Sequence, residues 1–126
     1  YAGSMKIIAV TLLTSITQEI LNKDLMINHA LDKVVLNYAK NAKSAGLDGI
    51  VCSVHESQDI KKNIKGLLTV TPGIRLEGGD THDQKRVATP KQAKINKCDY
   101  IVVGRAITKA KDPLCVYNKI LKEFNN

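Results

Sequence analysis

The sequence predicts an α/β protein built on a parallel sheet. Four short runs rich in Ile, Val and Leu alternate with stretches of helical character. Strands separated by helices run parallel and are joined by right-handed crossovers. Trp is absent and Phe occurs once, so aliphatic side chains must fill the core, which suits a parallel sheet. Two segments, Thr89-Pro90 and Asp112-Pro113, carry a capping side chain followed by proline, the arrangement that starts helices.

The length of 126 residues suits one domain with a real core and is too short for two ordinary ones. Residues 1–4, ahead of Met5, read as a remnant of expression, which leaves 5–126 as a single domain. The first strand is expected over residues 6–13, ending at Thr14 and Ser15. Either of these two could cap the short helical segment that follows, with Gln18 completing a capping box from Ser15. Leu31, Val34, Val35, Tyr38, Ala39 and Ala42 recur at helical spacing and form the apolar stripe of a helix closed near Gly46. Residues 47–52 are the second strand, and Ser53 begins the loop behind it. A short helix spans 56–65 and ends at Gly66. The third strand covers 67–70 and stops at Thr71-Pro72-Gly73, because proline cannot donate to a central ladder. Residues 78–83 are loop. The fourth strand contains Ile101-Val102-Val103, apolar on both faces and therefore expected to be buried, and Gly104-Arg105 follow directly. Four units of this kind form either a small doubly wound sheet or half of an eight-stranded barrel.

Composition narrows the function. No apolar run approaches the ~20 residues of a membrane span, and no signal peptide is visible. Cys52, Cys98 and Cys115 are odd in number and not spaced as zinc ligands, so reduced thiols in a cytoplasmic protein are expected. His29, His55 and His82 are scattered, and no metal site is expected. The formal charge of +7 favours anionic partners. The lysines are spread out and aromatic residues are not interleaved with them, so a basic nucleic-acid-binding module is kept only as the alternative from another class.

In either architecture ligands gather at the carboxyl ends of the strands. That edge holds Thr14 and Ser15, Cys52 and Ser53, Pro72-Gly73-Ile74-Arg75, and Gly104-Arg105, with Asp83-Gln84-Lys85-Arg86 in the loop after the third strand. Glycine lets a ligand approach the backbone closely, and arginine offers a planar fork of donors matched to phosphate. Taken singly, each of these residues can be ordinary strand-end punctuation. Donors at four consecutive ends, with no Asp, Glu or Lys at any of them, describe an edge suited to gripping a phosphate rather than to acid–base chemistry.

Val10-Thr-Leu-Leu-Thr-Ser15, Gly46-Leu-Asp-Gly-Ile-Val-Cys-Ser53, Val70-Thr-Pro-Gly-Ile-Arg75, Asp83-Gln-Lys-Arg86 and Tyr100-Ile-Val-Val-Gly-Arg105 together resemble orotidine 5′-phosphate decarboxylase, in that family's order and spacing. The resemblance runs from about Met5 to the C-terminus. It implies a (β/α)8 barrel of pyrimidine biosynthesis that converts orotidine 5′-phosphate to uridine 5′-phosphate and carbon dioxide without metal or organic cofactor. It further implies that Thr14 contacts the pyrimidine and Pro72 walls the base pocket. Arg75 and Gln84 would bind substrate, and Gly104 and Arg105 would anchor the phosphate. His55 and Leu76 stand where the family more often has Gln and Pro, and neither is a matched ligand position.

Only strands five to eight of such a barrel are visible. The family motif Asp-x-Lys-x-x-Asp, which supplies the catalytic lysine and aspartates, does not occur in the sequence. The expectation is therefore phosphate binding without turnover by this chain alone, no catalytic residue being assigned. A catalytically dead nucleotide-phosphate binder is the alternative. A lone half barrel would also expose unpaired strand edges and an inner apolar face. Uncovering ~1000 Å² of apolar surface costs on the order of 25 kcal/mol as an upper bound. Self-association, or pairing with a separate N-terminal half, is expected.

Overall fold

A computed structural model describes residues 4–78 and 86–125. Four strands, β1 (Ile8–Val10), β2 (Gly49–Val51), β3 (Leu68–Thr71) and β4 (Tyr100–Ile101), pair in parallel in the order β1-β2-β3-β4. This order separates the two architectures the sequence left open. A doubly wound sheet reverses its strand order and places helices on both faces. Here the sheet advances one strand at a time, as in a barrel, and the chain forms a half barrel.

The register shows which residues share a face. Ala9 pairs with Ile50 and Ile50 with Thr69, while Val10, Val51, Val70 and Tyr100 form a second row across all four strands. The first row faces the helices. Ile50, Cys52 and Leu67 pack with Val35, Ala39 and Ala42 of α2 (Leu31–Ser44) and with Ile60 of α3 (Val54–Asn63). A second cluster joins Val54, Ile74, Ala88, Cys98 and Ile101 to Ala93 of α4 (Pro90–Ile95) and Phe124 of α6 (Pro113–Asn125). The second row lines the concave face. Val10 is 60% exposed and Tyr100 54%. The expectation that the fourth strand is buried on both faces is thus corrected: Ile101 and Val103 pack against the helices, but Tyr100 and Val102 lie open on the concave side.

Local signals mostly act where they stand. Thr89 caps α4, its hydroxyl accepting the Gln92 N–H, and Pro90 is the first helical residue. Asp112 accepts the Cys115 N–H at the start of α6. Gly46 and Gly66 take positive φ just beyond α2 and α3, where residues with a β-carbon are strained.

Two helix starts differ from the sequence reading. The first short helix, α1 (Gln18–Lys23), is capped by Thr17 rather than by Thr14 or Ser15. Gln18 is spent elsewhere: its amide accepts the Leu31 N–H and donates to the His29 carbonyl, tying α1 to the start of α2. Ser53 does not begin a loop but is the N-cap of α3, and Glu56 accepts the Ser53 N–H at 2.7 Å. The signal was present as Ser-x-x-Glu, a capping box. A single-turn helix, α5 (Arg105–Thr108), also follows β4. Among the described residues no helix is long and apolar enough to cross a membrane, and no group of three His, Cys, Asp or Glu could hold a metal.

The amino ends of the strands are held by carboxylates. Asp99 accepts the Thr69 N–H at 2.7 Å and the Thr69 hydroxyl at 3.2 Å, and it pairs with Lys61. Burial opposes ionisation of Asp99, but Lys61 and Thr69 outweigh it and hold the carboxyl below its ordinary pKa. Asp48 does the same work for β1, accepting the Ile7 N–H at 2.8 Å. With the amino ends pinned, the loops at the carboxyl ends are presented along one edge.

Candidate phosphate and nucleotide site

The carboxyl edge is built from four consecutive strand ends. After β1 the chain turns at Leu13, whose carbonyl accepts the Ile16 N–H at 3.0 Å, and this turn leaves Thr14 buried. After β3, Gly73 adopts a φ of 82°, which turns the chain out of the strand directly behind Pro72. Val10, Leu12, Leu13, Thr14, Ser15, Val51 and Pro72 enclose a depression of about 260 Å³. The structure thus brings Thr14 and Pro72 together, across the end of β2.

Farther along the edge, β4 runs into Gly104 and Arg105. Gly104 has a negative φ, and a β-carbon built on it would meet no atom within 4 Å. Among the described residues nothing crowds a β-carbon at Gly104. Arg105 is half-buried at the first turn of α5.

Arg75 is 6% exposed, and its guanidinium donates to the Ile74 carbonyl at 2.7 Å. Its backbone N–H bonds to Ala88, and Ala88 N–H to Gly73, so the two arms of the connection after β3 are stitched together here. Arg75 does not line the depression that holds Thr14 and Pro72. Gln84 lies outside the described residues.

In the sequence Arg86 stands out only as part of the Asp83–Arg86 motif, and Glu56 only as the start of a helix. Their side chains form an ion pair that is largely buried. Arg86 also donates to the Leu13 carbonyl at 3.1 Å and to the Ser53 hydroxyl at 3.4 Å. Burial lowers the Arg86 pKa from its ordinary value. Burial, aided by the neighbouring Cys98, pushes the Cys52 thiol up to about 12, so Cys52 at the end of β2 remains a thiol and is no nucleophile at neutral pH.

A (βα)4 half barrel with Thr, Gly and Arg at its strand ends belongs to the β/α-barrel class. Comparison with known proteins identifies the family. Residues 1–120 match the model of the "Orotidine 5'-phosphate decarboxylase / HUMPS family", and the chain belongs to that family. It is 52% identical over 121 residues to orotidine 5′-phosphate decarboxylase of Lactococcus lactis subsp. cremoris strain MG1363, covering 95% of this chain and 51% of the relative. It is 44% identical over 125 residues to the Geobacillus thermodenitrificans enzyme, covering 98% and 52%. Among solved structures, orotidine 5′-phosphate decarboxylase from Lactobacillus acidophilus superimposes with a TM-score of 0.78 at 43% identity, covering 96% of this chain and 50% of that one. The chain spans about half the length of the curated relatives it matches.

Proposed function

We propose that this chain supplies the nucleotide-gripping half of an orotidine 5′-phosphate decarboxylase site, binding a pyrimidine nucleoside monophosphate by its phosphate and base. The observation that carries the reading is the common edge: the Thr14–Pro72 depression and the open backbone at Gly104, with Arg105 beside it, stand at the ends of strands of one parallel sheet. In this reading Gly104 and Arg105 hold the phosphate, Thr14 and Pro72 face the base, and Arg75 and Gln84 complete the grip. A relative from Methanocaldococcus jannaschii, 25% identical with a TM-score of 0.61, is described as complexed with inhibitor BMP.

Decarboxylation breaks a carbon–carbon bond and leaves its electron pair on the pyrimidine ring, where a proton must arrive. That step needs charged groups set against the developing carbanion. No Asp-x-Lys-x-x-Asp segment occurs in these 126 residues, so the chain grips and positions while a complementary half supplies the lysine and aspartates. The same half, or a second copy of this chain, covers the concave row of Val10 and Tyr100. It also covers Leu114, Tyr117 and Leu121 of α6, exposed at helical spacing on one face. Light scattering at micromolar concentration is expected to show self-association, and a compact monomer refutes that part of the reading.

Calorimetric titration with uridine 5′-phosphate tests the site. The chain is expected to bind it, and Arg105→Ala to lower the affinity about thirtyfold or more, the scale of a lost charge-assisted pair. With orotidine 5′-phosphate, the chain alone is expected to give no turnover, and adding the complementary half of the Lactococcus lactis enzyme to restore it. Turnover by the chain alone, or affinity indifferent to Arg105, refutes the proposal.

A further inference from the structure

We propose that Arg86 is a positioning residue for the base-facing side of the nucleotide site, acting through Thr14 and braced by Glu56. The inference rests on the nucleotide-binding reading above and adds a residue which that reading does not use.

The argument is geometric. Arg86 closes the connection between β3 and α4, and it contacts the ends of both earlier strands. Its backbone N–H donates to the Thr14 carbonyl at 3.2 Å, and its guanidinium to the Leu13 carbonyl at 3.1 Å. Two successive carbonyls of the irregular segment after β1 are therefore held by one residue, which leaves the main chain at Thr14 little freedom to rotate. The other terminal nitrogen of the guanidinium meets Glu56 and the Ser53 hydroxyl. Glu56 is itself fixed, because its second oxygen accepts the Ser53 N–H at the start of α3. The ends of β1 and β2 and the connection after β3 are thus joined through one planar group. Arg86 Nε is buried and has no hydrogen-bond partner among the described residues. A lysine at this position carries the same charge at a single point and cannot span Leu13 and Glu56 together.

No bond from Arg86 reaches the Gly104–Arg105 end of the edge among those the structure assigns to it. The two ends of a nucleotide should therefore respond differently to its loss. Uridine 5′-phosphate uses both ends; ribose 5-phosphate, which lacks the base, uses only the phosphate end. In the 126-residue chain, Arg86→Lys and Glu56→Gln are each expected to weaken uridine 5′-phosphate by about tenfold or more, the scale of one lost charged hydrogen bond. Ribose 5-phosphate should change by less than about twofold, the level of independent sites. The double variant should lose little beyond either single one, because the pair acts as a unit.

Far-UV circular dichroism confirms that each variant keeps its fold. Equal weakening of both ligands, no weakening of either, or rescue of uridine 5′-phosphate binding in Arg86→Lys overturns the positioning role. So does loss of the fold in both variants, which would make the pair a folding element only. Failure of the unsubstituted chain to bind either phosphate is a different result: it removes the nucleotide-binding reading and this inference with it.

Discussion

Asp99 offers the sharpest test of how this half barrel is held, because one carboxylate closes the gap between two strands. It accepts the Thr69 N–H and hydroxyl of β3, pairs with Lys61 of α3, and directly precedes β4. Asp99→Ala removes a charge-assisted bond from a backbone N–H, about 1.5–3 kcal/mol, and a partly exposed ion pair of about 0.5–1 kcal/mol. The sum is about 2–4 kcal/mol at neutral pH, a large share of the stability of any small domain. Asp99→Asn keeps a neutral acceptor for Thr69 and should cost about half as much. The folded pKa is depressed, so the contribution is full above the unfolded carboxylate value of ~3.9 and is lost as pH falls through the lower native value. Urea unfolding followed by far-UV circular dichroism should show wild type and Asp99→Asn well separated at pH 7 and converging as the acid limb is descended. A gap that persists unchanged in acid, or none at pH 7, refutes the assignment of this stability to the ionised carboxylate.

Other outcomes follow from the same geometry. Gly49→Ala places a β-carbon 2.8 Å from both the Leu68 carbonyl oxygen and its β-carbon, neither of which can swing away. A loss of about 2 kcal/mol or more in urea unfolding is expected, and full stability would show that β2 and β3 can separate at no cost. Gly46→Ala meets no atom within 4 Å but keeps a φ of 79°, so about 1–2 kcal/mol of backbone strain is expected in the same assay. Of the three thiols, exposed Cys115 should react with an aromatic disulfide reagent in the folded chain, and Cys52 and Cys98 only after unfolding. Fast labelling of Cys52 at neutral pH would contradict its burial and a pKa of about 12.

Much of this molecule is decided within a few residues of sequence, because the causes are local. The stripe from Leu31 to Ala42 has only one way to bury itself. Pro90 behind Thr89 sets φ and removes a donor that a helix start does not need, and Gly46 and Gly66 stand where a helix must turn left-handed. The donors at the strand ends were legible for the same reason: a strand followed by Gly-Arg or Pro-Gly announces its own end. Family membership was legible too, from motifs in register. What local chemistry could not decide was which strand lies beside which. The order β1-β2-β3-β4 depends on contacts between residues about twenty to forty positions apart, and it alone separates a half barrel from a doubly wound sheet. The cap at Thr17 in place of Thr14 or Ser15 and the pair of Arg86 with Glu56 have the same origin. Gln18 was claimed by Leu31 and His29, and Glu56 by a residue thirty positions away. The open face at Val102 contradicts the expected burial of Ile101-Val102-Val103, because an apolar run shows that a strand can be covered, whereas only packing shows by what. Short-range sterics and hydrogen bonding act through the chain and can be read along it, while burial and charge pairing act through space and exist only once the sheet has formed.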